Sequence, residues 1–209
     1  MTSLTKARIS KALEPYGIVP SIKVVEQIKA YIELLLKWNR SVSLTTITDV
    51  DEILRFHFGE SLFALGMLPV EKSRLADVGS GAGFPGIPLA MSRSSLEVTL
   101  IEPNAKKFAF LNEVIRSLEI HNAEAFRGRM EDFRHLDGSL DVATARALGQ
   151  FDDLLGWAHK QLTPLGALIL WVGDEDARKL AADPRFRWRM PQRIPGAERR
   201  SILLGSPTN

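Results

Sequence analysis

The sequence predicts an α/β fold: a mostly parallel, seven-stranded sheet flanked by helices, with an antiparallel C-terminal hairpin and an N-terminal helical extension. Three observations carry this expectation. From residue 75 onward, short apolar stretches of strand character alternate with stretches of helical period, as parallel strands joined by crossover helices do. The first such strand, 75–78, runs straight into Gly79, Gly81, Gly83 and Gly86, and a cluster of that kind serves a tight turn in which the backbone is approached closely. Near the C-terminus, strand-like stretches at 186–194 and 199–204 flank Pro195-Gly196-Ala197, a hairpin signal. A chain of 209 residues accommodates one such domain with an extension better than two full domains. The expected division is 1–70 for the helical extension and 71–209 for the sheet domain, built as one compact unit.

At the N-terminus, residues 4–13 can form a short helix. After Pro20, Ser21 can cap a long helix in which Val25, Ile28, Ile32, Leu35 and Trp38 recur at helical spacing. A polar stretch rich in Ser and Thr, 41–48, separates it from Asp49-Val50-Asp51-Glu52, which reads as a capping box. The helix it opens runs to about Leu65 and carries His57, Glu60 and Ser61. Two amphipathic helices cannot bury their faces alone, so they must dock on the sheet domain. The sheet then reads strand 75–78, helix 86–92, strand 97–101, a helix capped by Asn104, strand 123–126, strand 140–145 closed by Arg146, helix 152–162, strand 166–172 and helix 174–182. The stretch 166–172 is almost wholly apolar, which places it centrally.

Composition bounds the function. An apolar fraction of 45% supports a real core, and a net charge of +2 does not by itself announce a nucleic-acid partner. The distribution of charge says more. Arg178, Lys179, Arg185, Arg187, Arg189, Arg193, Arg199 and Arg200 are opposed only by Asp183 and Glu198, which points to a basic face near the C-terminus. The absence of cysteine excludes disulfides, thiolate zinc sites and thiol nucleophiles. No signal peptide is evident, and no apolar run approaches the roughly 20 residues of a membrane span. A cytoplasmic protein without a metal site is expected.

Gly81-Ala82-Gly83-Phe84-Pro85-Gly86 satisfies the dinucleotide fingerprint, with Glu102 about where a ribose-binding acid belongs. Two details weigh against a dinucleotide. Pro85 has no N–H for a pyrophosphate at the helix start. Asp77, two residues before Gly79, places a negative charge beside the ligand, which suits a cation better than a phosphate. Asp77-x-Gly79-x-Gly81 followed by Glu102 is the pattern of S-adenosylmethionine methyltransferases. A glycine turn that binds nothing and a nicotinamide oxidoreductase stay open alongside it. On the methyltransferase reading Glu102 accepts the ribose hydroxyls, Met130 and Glu131 border the adenine, and Arg146 faces the crevice at a strand end, toward a cofactor carboxylate or a phosphate.

Known chemistries narrow the substrate. Methylation of exocyclic amino groups relies on an Asn/Asp-Pro-Pro-aromatic loop, but Thr144-Ala145-Arg146-Ala147 occupies that place. Pyrimidine C5 methylation needs a cysteine, which the chain lacks. Guanine N7 needs neither device, because it carries a lone pair and no proton; alignment suffices, and no catalytic residue is required, with Arg146 the one candidate. His121 and His135 read as surface residues and His159 as a helix residue; His57, beside Glu60 and Ser61, is the histidine to watch.

These residues resemble the bacterial 16S ribosomal RNA guanine-N7 methyltransferases, the small-subunit methyltransferase G family once called glucose-inhibited division protein B. The resemblance rests on Leu36-Lys37-Trp38-Asn39, Leu44-Thr45, His57 with Ser61, the run from Asp77 to Pro88, Arg129-Met130-Glu131 and Ala145-Arg146-Ala147. It implies a Rossmann-like class I S-adenosylmethionine-dependent methyltransferase. Cofactor contacts are then expected at Gly79, Gly81, Phe84, Glu102, Met130, Glu131 and Arg146. The partner is 16S rRNA or the small ribosomal subunit, with Lys37, Asn39, His57, Arg193, Arg199 and Arg200 as candidate RNA contacts on a monomer. The alternatives are a same-fold methyltransferase acting on another RNA, a small molecule or a protein, and a non-catalytic RNA-binding module. The chain departs from the family pattern at Ser43, usually Asn; at Glu60, usually Asp; and at Trp171-Val172-Gly173, where Lys-Gly commonly ends the fifth strand.

Overall fold

Seven neighbouring strands form the sheet path in the order β3-β2-β1-β4-β5-β8-β6, with β7 also paired to β8. The strands are β1 (Ser73–Val78), β2 (Leu96–Ile101), β3 (Ala123–Phe126), β4 (Leu140–Arg146), β5 (Leu162–Gly173), β6 (Phe186–Trp188), β7 (Gln192–Arg193) and β8 (Arg200–Pro207). The computed structural model describes residues 4–133, 138–146, 149 and 151–208, so His135 and Ala147 lie outside the described residues. The pairs β3–β2, β2–β1, β1–β4 and β4–β5 are parallel, and everything laid on β8 is antiparallel. The chain builds outward from β1 to β3, then returns to place β4 on the other side of β1. That reversal opens a crevice at the carboxyl ends of β1 and β4, where sheets of this kind bind ligands.

The expected strand 186–194 is present in two pieces. Arg189 N still donates to Leu204 O at 2.8 Å. Beyond it the pairing register shifts, from Trp188 opposite Gly205 to Gln192 opposite Ile202. Pro191 falls in the gap and has no N–H to continue the ladder.

The helices obey the capping chemistry. α1 (Lys6–Leu13) and α2 (Ile22–Trp38) begin at Thr5 and Ser21, whose side chains accept from Arg8 N and Val24 N at 3.3 Å each. Asp49 accepts from Glu52 N at 3.0 Å and opens an irregular helical run: α3 (Val50–Glu52), a π segment (Ile53–Gly59), α4 (Glu60–Leu62) and a 3-10 segment (Phe63–Met67). The expected second helix is therefore present but wound unevenly, and no propensity marks the π stretch. α5 (Gly86–Ser92) and α6 (Ala105–Ser117) cover one sheet face; Asn104 caps α6 through Lys106 N and Lys107 N. α7 (Phe151–Gln161) and α8 (Asp174–Leu180) lie on the other. Two core clusters result. One joins Leu75, Leu100 and Phe110 to Ile28, Tyr31 and Phe58 of the N-terminal helices. The other joins Ala76, Val78 and Leu170 to Leu154, Ala158 and Leu203. The N-terminal helices are thus part of the wall of the sheet.

A candidate cofactor cleft with a basic rim

The glycine loop owes its shape to backbone angles that side chains resist. Gly79, Gly81 and Gly83 have φ of 69°, 58° and 86°, in the left-handed region. Asp77 braces the loop from beneath. Its Oδ1 accepts from Thr144 Oγ1 at 2.8 Å and its Oδ2 from Gly86 N at 3.2 Å, and its carbonyl accepts from Ser80 Oγ at 2.8 Å. The side chain is fully buried, and burial raises its pKa to about 6 against the pull of those hydrogen bonds. The carboxylate is turned under the loop and holds it.

The loop is gripped from above by the N-terminal helices. The Tyr31 hydroxyl of α2 donates to the Ala82 carbonyl. The Tyr31 ring stacks on Phe84 with centroids 5.2 Å apart, and His57 of the π segment stacks on Phe84 at 4.7 Å. Phe58 meets Phe84 edge-on at 5.3 Å. There is no room at Gly83 for a side chain: a Cβ there would sit 2.5 Å from the Tyr31 hydroxyl oxygen. At Gly81, by contrast, a Cβ would meet nothing closer than the Gly79 carbonyl at 3.8 Å. That side of the loop is open.

The open side faces a cleft of about 390 Å³ lined by Gly79, Gly81, Phe84, Glu102, His57 and Arg146 among others. Of the expected cofactor residues, Gly79, Gly81, Phe84 and Glu102 meet there, and Arg146 joins them from β4. Glu102, at the end of β2, is only 5% exposed. Its Oε2 accepts from Gly81 N at 2.9 Å and its Oε1 from Asn104 N at 2.8 Å. Each oxygen keeps a further lone pair for a hydroxyl. Met130 and Glu131 are not among the cleft-lining residues. They sit on the 3-10 turn Met130–Asp132 beyond β3, Met130 packed against the second core cluster and Glu131 exposed.

Arg146 is more constrained than a free cation. Its Nη2 donates to the Phe56 carbonyl at 2.7 Å and pairs with Glu60 Oε2 at 3.2 Å, while Nη1 is buried without a partner. Burial lowers the Arg146 pKa and raises that of Glu60, and each charge holds the other. Glu60 also pairs with Arg200 Nη2 at 2.7 Å, and its carbonyl accepts from Trp171 Nε1 at 2.8 Å. In the sequence, Glu60 and Trp171 stand out only as departures from the family pattern. They are joined here, and nothing in the sequence pairs positions so far apart.

His57 is 9% exposed, with Nε2 2.8 Å from Thr45 Oγ1. Burial, then the nearby Arg146, depresses its pKa to about 4, so the imidazole is neutral at pH 7. Asn39 is an expected RNA contact, but the structure gives its amide another task. Oδ1 accepts from Leu44 N and Thr45 N at 2.9 and 3.0 Å, and Nδ2 donates to Thr45 O at 2.8 Å, which shapes the connection along the cleft. Ser43 in that connection is exposed. Lys37 and Arg199 are exposed, and Arg193 is held by Asp174 Oδ1 at 2.8 Å and the Glu198 carbonyl at 2.9 Å. A second hollow, about 480 Å³, lies at the opposite, amino ends of β1–β3 and is lined by Arg74, Thr99, His121 and Glu124 among others. It has no glycine loop beside it.

Fold and cleft together define the class: the chain has the fold of S-adenosylmethionine-dependent methyltransferases. A SAM dependent methyltransferase from Aquifex aeolicus superposes with a TM-score of 0.63 at 15% identity, over 75% of this chain and 93% of that one. Geranyl diphosphate C-methyltransferase from Streptomyces coelicolor does so with a TM-score of 0.64 at 13% identity, over 85% and 98%. The sequence goes further. Residues 24–193 match the family described as rRNA small subunit methyltransferase G, and the chain belongs to that family. Proteins named ribosomal RNA small subunit methyltransferase G are 36% identical in Hydrogenovibrio crunogenus, over 86% of this chain and 82% of that one, and in Halorhodospira halophila, over 84% and 82%.

Proposed function

We infer that the protein transfers a methyl group from S-adenosyl-L-methionine to N7 of a guanosine in 16S rRNA of the small ribosomal subunit. The observation that carries the cofactor half is the conjunction at the cleft: a left-handed glycine cradle open at Gly81, the Glu102 carboxylate at its edge, and an Arg146 nitrogen buried without a partner. These fit a ligand with ribose hydroxyls and a carboxylate. The bound cofactor supplies an electrophilic methyl group on a sulfonium.

The remaining work falls to the chain. Gly79 and Gly81 let the ligand lie against the backbone, Glu102 accepts the ribose hydroxyls, Met130 and Glu131 border the adenine where it extends past the lined cleft onto the turn after β3, and Arg146 Nη1 offers a donor to the carboxylate. Phe84, wedged between Tyr31 and His57, fixes the loop and excludes water from its inner side. Guanine N7 carries no proton, so no base is required, and the neutral His57 is consistent with that. Catalysis is then alignment of the ring nitrogen with the methyl group. Lys37, Arg193, Arg199 and Arg200 supply positive charge for the RNA. The N-terminal helices act as one unit with the sheet, in a cytoplasmic monomer; among the described residues no helix is long and apolar enough to cross a membrane.

The test is transfer of labelled methyl from S-adenosylmethionine to small subunits from a strain lacking the protein, with mapping of the modified atom. One methyl per 16S rRNA, at a guanine N7, is expected. Transfer to an exocyclic amine, to protein or to a small molecule instead would overturn the substrate, and calorimetric silence with the cofactor would leave a non-catalytic RNA-binding module.

A further inference from the structure

The rim of the cleft holds an arrangement that cofactor binding does not require. Arg200 opens β8, and its Cζ lies over the Phe56 ring, 5.1 Å from the centroid. Its Nη2 is 2.7 Å from Glu60 Oε1, while the other Glu60 oxygen pairs with Arg146 on the cleft wall at 3.2 Å. The Glu60 side chain is 2% exposed and that of Arg200 is 45% exposed. The guanidinium therefore lies against a buried carboxylate, at ion-pair distance without hydrogen-bond geometry, and over an aromatic ring on its inner side, and is open to solvent on the rest. Arg55 adds a second guanidinium carbon 5.3 Å from the same ring.

Steering of a polyanion needs none of this. A mobile point charge serves as well, and Arg199, exposed beside it, is that kind of cation. Glu60 even works against simple phosphate attraction, because it neutralises part of the charge it holds. What anchoring preserves is the orientation of a planar group. Guanidinium planes stack on unpaired nucleobases, and ordering the plane beforehand removes the entropy that binding would otherwise lose. The position also suits such a contact, one carboxylate away from the arginine that lines the cleft.

We propose that Arg200, held by Phe56 and Glu60, is a stacking surface for an unpaired base of the RNA substrate at the mouth of the cleft. The proposal rests on the RNA reading above and adds to it a planar contact where the sequence suggested only charge.

The test compares wild type with Arg200→Lys, which keeps the charge and loses the plane, with Arg200→Ala, and with Phe56→Leu, which keeps apolar volume and removes the ring. Binding of a 16S rRNA fragment is measured by filter retention across a salt series, cofactor affinity by calorimetry, and folding by thermal melting. Arg200→Lys should weaken RNA binding about tenfold with its salt dependence unchanged and cofactor affinity within twofold. Arg200→Ala, which loses the plane and the charge together, should weaken binding at least tenfold, and any loss beyond that of Arg200→Lys should shrink as salt is raised. Phe56→Leu should weaken RNA severalfold while the cofactor still binds. If Arg200→Lys binds RNA as wild type does, the contact is to phosphate and the proposal is overturned; equal loss of cofactor by a folded Arg200→Lys protein overturns it too. Should wild type transfer no methyl to rRNA, the functional reading falls; should it do so and Arg200→Lys match it, the stacking surface alone falls.

Discussion

Replacing Gly83 by alanine should separate the two constraints that shape the glycine loop. The first is conformational: φ is 86°, and a Cβ in the left-handed region costs about 1–2 kcal/mol. The second is steric. The added carbon would stand 2.5 Å from the Tyr31 hydroxyl oxygen and 2.7 Å from Ile87 Cγ1, and overpacking of a closed core costs about 1–3 kcal/mol. Gly83→Ala should thus cost about 2–5 kcal/mol, a large part of the roughly 5–15 kcal/mol of a typical domain. Gly17 is the control: its φ is 72°, but a Cβ there meets nothing within 4 Å, so Gly17→Ala should cost only the conformational part, about 1–2 kcal/mol. Tyr31→Phe alone should cost about 1–3 kcal/mol, because the buried Ala82 carbonyl loses its donor. Combined with Gly83→Ala it also removes the oxygen that the new carbon would meet. The double variant should be more stable than the sum of its parts by at least about 1 kcal/mol. Urea unfolding monitored by tryptophan fluorescence measures the four variants against wild type. Additivity within about 0.5 kcal/mol, the behaviour of independent sites, would refute the claim that α2 grips the loop through Tyr31.

Four polar side chains of the site give the further outcomes. His57 has a folded pKa of about 4 against 6.5, so its contribution is present above pH 6.5 and lost as pH falls toward 4, about 3 kcal/mol in all. Asp77 has a folded pKa of about 6 against 3.8, so its contribution is full below pH 3.8 and lost as pH rises through 6, again about 3 kcal/mol. The two slopes oppose, and the His57→Gln protein should gain stability relative to wild type as pH falls from 6.5 to 4 while Asp77→Asn loses it; parallel denaturation curves for the three proteins would contradict both assignments. Glu60→Gln leaves Arg146 and Arg200 without their shared counter-charge and should cost about 3 kcal/mol, lowering the melting temperature by about 10 °C; a change under about 2 °C would show the network to be dispensable. Asn39→Ala removes three hydrogen bonds and should cost about 2–3 kcal/mol, with faster hydrogen exchange at Leu44 and Thr45; unchanged exchange together with lost RNA affinity would return Asn39 to the RNA.

Much of the scaffold is legible in residue order because local signals and tertiary packing agree there. Ser21, Asp49 and Asn104 cap the helices that their positions predict, and the alternation after residue 75 becomes β1, β2, β3, β4 and β5 in parallel. The cradle is legible because positive φ leaves its mark as glycine. What escapes is long-range. The Glu60 carboxylate bridges Arg146 and Arg200 across the fold, and no spacing rule links residues so far apart. Asp77 looks ligand-facing in sequence because its neighbours are; which way its side chain turns depends on Thr144 and Gly86. The π winding that carries His57 and Phe58 against Phe84 leaves no mark in propensity. The break at Pro191 is visible as a missing N–H, but the apolar pattern around it masks the signal.

A crystal structure with S-adenosylhomocysteine tests the central claim most directly. The ligand should lie along Gly79 and Gly81 with its ribose on Glu102 and its carboxylate toward Arg146. Density at the amino ends of β1–β3, beside Arg74, Thr99 and Glu124, with the glycine cradle bare, would contradict it.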